Sequence, residues 1–251
     1  MSKAQGVILY RGPSLFDGKE IVAIATRSSR NKKTADMVQT WILIVDTAPH
    51  VAVRTGRDAS ICGDCIYAGG NGCYVRTYQA PLSVWRAFHR GRYDDRSGDL
   101  AAIAALGEGR TVRLGAYGDP VALPEEIWSA LVSRSRAHTG YTHQWRVAPR
   151  AFRSLVMASC DTESDKVRAN LRGFRTFRVN DGTDVRRTRG EMTCPASKEA
   201  GARLNCADCH ACDGARSGGL TSHDVTIALH GALASRARKA IAAKRAREMQ
   251  A

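Results

Sequence analysis

Seven of the eight cysteines fall into two groups whose spacing suits metal ligation. In the first, Cys62-Gly-Asp-Cys65 is followed after seven residues by Cys73, in a loop that also carries Gly63, Gly69, Gly70 and Gly72. Thiolates must converge on one point to hold an ion or a cluster. A two-residue gap lets neighbouring sulfurs do so, and glycines let the chain wrap without steric cost. Three thiolates leave a tetrahedral set incomplete. Either a distant residue supplies the fourth ligand, with Cys160, His50 and His143 as candidates, or one position stays open, which marks a reactive centre rather than a structural one.

The second group, Cys194, Cys206, Cys209 and Cys212, has gaps of eleven, two and two residues. Cys206-x-x-Cys209-x-x-Cys212 matches the compact run of ferredoxin-type [4Fe–4S] loops, with a distant fourth thiolate completing it, whereas zinc sites more often use two separated Cys-x-x-Cys pairs. One or two [4Fe–4S] clusters are therefore expected, with zinc as the alternative. Cys160 follows an apolar run and reads as a small buried hydrophobe.

The elements that must position these groups follow from apolar periodicity. Ile21–Ala25 and Trp41–Val45 are short, β-branched and bounded by turn residues, so they read as strands. Pro81–Arg90 and Leu100–Leu106 have helical spacing. Strand and helix then alternate: a strand at Thr111–Tyr117 ending in Gly118-Asp119-Pro120, a helix over Leu123–Arg136, strands at Tyr141–Trp145 and Leu155–Ser159, a helix over Glu163–Leu171 and a strand at Arg175–Val179. This alternation implies parallel strands joined by right-handed crossovers, hence an α/β sheet or partial barrel with its chemistry at the carboxyl ends of the strands. Asp119, His143, Asp161 and Glu163 fall near those ends, although Asp161-Thr162-Glu163 also suits the N-terminal cap of the next helix. The expected organisation is an α/β unit over 1–190, a Cys-rich region over 191–231 and a basic helix over 232–251.

These residues resemble the radical S-adenosylmethionine (SAM) superfamily: a three-cysteine loop ahead of β/α units, Gly-Asp-Pro after the next strand, and a distal four-cysteine cluster. The resemblance implies a partial (β/α) barrel. Cys62, Cys65 and Cys73 would hold a cluster whose open iron binds SAM, Gly118 and Asp119 would contact SAM, and Tyr74 is the aromatic beside the last cysteine. It also implies an auxiliary cluster on Cys194, Cys206, Cys209 and Cys212, and an enzyme that cleaves SAM reductively. The set Asn31-Lys-Lys-Thr34, Cys62-x-x-Cys65, Cys73-Tyr74 and Gly118-Asp-Pro120 also resembles a family of phage and prophage proteins.

The charge balance points to a polyanionic partner, since 38 Lys+Arg against 24 Asp+Glu leave the chain at +14. Arg27, Arg30, Lys32 and Lys33, interleaved with hydroxyl and amide residues, form a candidate phosphate-contacting loop. The tail helix adds Arg238, Lys239, Lys244 and Arg245, and nucleic acid is the expected partner. No run is apolar enough to span a membrane, and the first residues lack a signal-peptide core, so a cytoplasmic location is expected, that of the host cell if the protein is phage-encoded. No hydrolase motif is present.

Overall fold

The computed structural model describes residues 6–27, 34–182, 190–201, 204–215 and 223–250. Its elements in chain order are β1 (Gly6–Pro13), β2 (Glu20–Thr26), β3 (Val38–Ile44), α1 (Pro49–Thr55), α2 (Ala59–Cys62), α3 (Ala80–His89), β4 (Asp94–Asp95), α4 (Leu100–Gly107), β5 (Thr111–Tyr117), α5 (Glu125–Val132), β6 (Ala137–Thr142), β7 (Met157–Cys160), α6 (Glu163–Leu171), β8 (Thr176–Asn180), β9 (Glu191–Thr193), α7 (Cys206–Cys209), β10 (Asp224–Ala228) and α8 (Ala234–Gln250).

All ten strands share one sheet, ordered β4-β1-β2-β3-β5-β6-β7-β8-β10-β9. The β1–β2 and β2–β3 pairings are antiparallel. From β3 onward every pairing is parallel, and β3, β5, β6, β7, β8 and β10 lie side by side in chain order. The described strands form an open sheet with β4 and β9 at its edges, so the expected α/β class is observed without closure into a barrel. The Cys-rich region does not stand apart from the sheet, because β9 and β10 extend it.

Burial explains why these segments are strands. Ile21 to Ile24 of β2, Ile42 and Leu43 of β3, and Val112 and Leu114 of β5 are all fully enclosed, which is the near-continuous apolar run of a sheet covered on both faces. Two boundaries differ from the periodicity. The strand expected at Tyr141–Trp145 ends at Thr142, because the Thr142 hydroxyl and the Asp119 carboxylate accept the next backbone N–H groups, from Gln144 and His143 at 2.9 Å each. The helix expected over Leu123–Arg136 stops at Val132, where the Ser133 and Ser135 hydroxyls donate to backbone carbonyls of Ala130 and Val132 and compete with helix continuation. Trp128, whose Nε1–H donates to the Pro120 carbonyl at 2.8 Å, anchors α5 to the loop after β5.

Gly118, at that same strand end, has φ +80°, and a Cβ there would lie 2.6 Å from the Cβ of Ile42 on β3. Gly118→Ala is expected to cost about 2–3 kcal/mol in urea unfolding. Gly109→Ala, where φ is +65° but no atom lies within 4 Å, should cost only about 1 kcal/mol; equal losses at the two positions would show that packing against Ile42 is not what demands a glycine.

Candidate functional site

The three-cysteine loop leaves α2 and crosses the carboxyl edge of the parallel strands. It is pinned from below: the Asp119 N–H donates to the Ile61 carbonyl at 2.7 Å, and Gln144 Nε2 donates to the Cys62 carbonyl at 3.0 Å. Asp58, buried beneath the loop, accepts the Gly69 N–H at 2.9 Å. Gly63, at φ +57°, leaves room for Gln144, because a Cβ would meet its amide carbon at 2.5 Å.

Cys62, Cys65 and Cys73 are close enough to influence one another's ionisation. Burial, then the neighbouring thiols and carboxylates, push the Cys62 thiol well up, and burial pushes Cys73 up to about 11. Such thiols keep their protons unless a bound cation displaces them. His143, at the end of β6, lies beside Cys65 and 3.6 Å from Asp161 at the end of β7. Burial opposes charging the ring, yet Cys65 and Asp161 outweigh it and raise its pKa well above the usual histidine value. Of the three residues weighed as a fourth ligand, the structure brings His143 to the group. Cys160 is enclosed in the main core, its sulfur over the Ala158 carbonyl, as a small buried hydrophobe.

Four buried polar atoms at this edge lack a close hydrogen bond: Tyr67 Oη, Tyr117 Oη, and the His143 Nε2 and Asp161 Oδ1 that face each other at 3.6 Å. Tyr117 points toward Cys62 and Cys73, and Tyr67 toward Cys65 and Asp161. Buried polar atoms without close hydrogen bonds cost free energy, and here they gather beside three thiols. Among the described residues no three Cys, His, Asp or Glu side chains stand so as to hold a metal ion as they are. A single zinc needs its sulfurs about 3.8 Å apart, given Zn–S bonds of about 2.3 Å in a tetrahedron. A cluster interposes iron and sulfide and takes its thiolates more widely spaced. The donors are of the type a thiolate-held centre uses, although as described they do not stand around one ion.

The second group is gathered on one face of β6 to β10. Cys194, Cys206, Cys209 and Cys212 share an apolar cluster with Met157, Val225 and Ile227. Burial pushes the Cys212 thiol up, and the Tyr141 hydroxyl lies beside it. Arg175 fixes the segment after Cys212 by donating to Asp213, to the Gly214 and Ala211 carbonyls and to the His223 carbonyl. Arg178 holds β9 through a buried two-pronged pair with Glu191 at 2.8 Å on each arm. All eight cysteines are thiols rather than disulfides.

The positions tied to SAM by resemblance serve the chain itself. Gly118 abuts Ile42. The Asp119 carboxylate accepts the Val121 N–H, the Thr142 hydroxyl and the His143 N–H at 2.7–3.0 Å. Tyr74 is exposed, and its hydroxyl accepts from Arg113 at 2.7 Å.

The basic positions divide. Arg27 is exposed, and its carbonyl accepts from Arg110 at 2.6 Å. Arg30, Lys32 and Lys33 lie outside the described residues. In α8, which lies along the carboxyl edge, Lys244 pairs with Asp161 at 2.8 Å and also with Asp165, Arg245 pairs with Asp181 at 2.7 Å, and Arg238 donates to the Asp181 carbonyl at 3.2 Å. Lys239 faces an open cleft without such a partner, and Lys244 lines a neighbouring one with its charge already paired. Periodicity placed these cations on one polar face; the carboxylates that capture them belong to strand ends more than sixty residues upstream, and no local spacing shows that. Thr162 caps α6, accepting the Asp165 N–H at 3.1 Å, so the Asp161–Glu163 segment serves both as helix cap and as site wall. No family model, curated protein or solved structure matches the chain.

Asp161 and Asp165 are 1% and 0% exposed, and Lys244 is their shared cation. Lys244→Met is expected to lower stability by about 2 kcal/mol, because it removes the cation that buried Asp161 and Asp165 share, leaving His143 to the first and Arg146 to the second. Arg247→Met, on an exposed turn of the same helix, should leave the urea midpoint nearly unchanged; equal shifts would mean the pairing does not hold α8.

Proposed function

We propose that the chain is an iron–sulfur protein on a radical SAM-like partial barrel, carried by phage and acting on or alongside nucleic acid in the host cytoplasm. The observation that carries this reading is the meeting of Cys62, Cys65 and Cys73 with the buried Tyr67 and Tyr117 hydroxyls and the His143–Asp161 pair at the carboxyl edge of the sheet. The strand order supports it: the cysteine loop follows β3, the first strand of the parallel run, and Gly118-Asp119 follows β5, the second. The second centre would sit on Cys194, Cys206, Cys209 and Cys212. In the first centre Cys62, Cys65 and Cys73 would hold the metal, Tyr117 and His143 would direct polar atoms at it, and Asp161 would orient His143.

SAM fits less well than the cluster. The Asp119 carboxylate is taken up by three internal donors and Tyr74 turns outward to Arg113, so no contact to the cofactor is offered by the positions the resemblance names. No step through SAM follows from these residues.

A second reading, from a different class, is a non-catalytic nucleic-acid-binding protein with structural zinc. It is favoured by one observation, the contact of His143 with Cys65 and the Asp161 carboxylate behind it. Carboxylate–histidine pairs of this kind orient ligands of closed sites, and Cys62, Cys65, Cys73 and His143 would make a Cys₃His set.

Anaerobic purification followed by iron, sulfide and zinc analysis separates the two. The iron–sulfur reading expects brown protein with about eight irons per chain if both groups hold [4Fe–4S] clusters, and His143→Ala should keep its colour. Colourless protein with stoichiometric zinc, part of it lost in His143→Ala, would replace that reading with the second.

A further inference from the structure

The cations of α8 occupy two faces with different fates. Lys244 and Arg245 turn inward and are paired. Arg236, Lys239, Ala240, Ala243 and Arg247, at helical intervals of three and four, form another face and line a cleft of about 520 Å³ whose far wall is Asp64, Cys65, Ile66 and Asn71 of the cysteine loop. Arg236, Lys239 and Arg247 have no carboxylate partner among the described residues; Arg236 has only a 3.4 Å contact to the Gly70 carbonyl. The two alanines make a low floor between the three cations.

This cleft continues into a second of about 640 Å³, with which it shares Asp64, Ile66 and Arg247, and which reaches His143 and Asp161. In that deeper half the cations are already neutralised, Arg146 by Asp165, Arg168 by Glu248 and Lys244 by Asp161. The uncompensated positive charge is therefore confined to the outer half, where three cations face the single carboxylate of Asp64. Both volumes lie in the range of small-ligand sites. No Phe, Tyr or Trp lines either cleft, so there is no platform on which a base would stack.

We propose that the groove between α8 and the cysteine loop is a binding site for a phosphate-bearing ligand, anchored by Arg236, Lys239 and Arg247 with its remainder directed along the groove to Cys65 and His143. The geometry names the substrate class of the cysteine edge, and in that respect it rests on the reading of that edge as the functional centre. Phosphate is the matching chemistry because two guanidinium groups and an ammonium at one small floor supply several donors and three positive charges against the single carboxylate of Asp64. The same chemistry is presented by a free nucleotide and by a single-stranded nucleic-acid backbone.

The test compares two triple variants of the protein as purified anaerobically. One is Arg236→Gln/Lys239→Gln/Arg247→Gln. The other, Arg54→Gln/Arg90→Gln/Arg92→Gln, removes the same charge from exposed residues elsewhere. The probes are ADP and a labelled single-stranded oligonucleotide, titrated at several salt concentrations. The groove variant should bind at least about tenfold more weakly, and its oligonucleotide salt slope should fall by about two, as loss of three phosphate contacts requires. The control variant should stay near wild type. Binding of ADP assigns a free nucleotide, and binding of the oligonucleotide alone assigns a nucleic-acid strand. Equal weakening in both variants, or no binding of either probe to the wild type, overturns the proposal. Metal analysis of the same samples is a separate readout, so loss of the iron–sulfur reading is distinguished from loss of the phosphate site.

Discussion

Three carboxylates buried at the carboxyl edge of a parallel sheet must be met by cations, and the placement of α8 answers that demand. Asp161, Asp165 and Asp181 are each at most 6% exposed. Unpaired, each would have to give up its charge or weaken the fold by several kcal/mol. Lys244 and Arg245 reach all three, while Ala237 and Ile241 bury the helix against Tyr67. Burial alone would push the Asp161 carboxyl up, but His143 and Lys244 hold it well below the usual carboxylate range. The groove, the cover over the cysteine loop and the division of the tail's charge into paired and unpaired faces all follow from this pairing.

A second constraint fixes the far side. β9 and β10 hold the distal cysteines against the sheet, and they are tied down by buried guanidiniums whose partners are remote in sequence: Arg175 to the 211–223 segment and Arg178 to Glu191. Two cysteine groups thus occupy different parts of one continuous sheet. The first lies at strand ends, among polar atoms and next to a cleft; the second lies among apolar side chains, with Tyr141 at Cys212. That contrast separates a cysteine group beside a cleft from an enclosed one.

Much of the scaffold was legible in the sequence. The strand at Thr111–Tyr117 and the helix at Glu163–Leu171 match their periodic segments, and the order of elements after β3 was readable from their alternation. β1 was not, because Val7-Ile8-Leu9 is too short an apolar run to separate from a buried turn. The grouping of the cysteines was visible in their spacing. What surrounds them was not: Tyr117 and Gln144 reach the first loop only because β5 and β6 end beneath it, and Asp165 looks like an ordinary first-turn acid of α6. The charge reading erred in treating the tail as one face, since the partners of Lys244 and Arg245 are fixed by tertiary contact.

Gly72 lies under α8, where a Cβ would come within 2.6 Å of the Ala237 backbone nitrogen. The residue before Cys73 and the tail helix are therefore in backbone contact. α8 also follows, in chain order, every segment it covers. During synthesis the cysteine loop, the strand ends and Asp161 exist before their cover does, so the edge stands open until α8 emerges and docks. Any later opening of this edge would have to separate Lys244 and Arg245 from their buried carboxylates, so docking of α8 is a late and directional event in the folding of the chain.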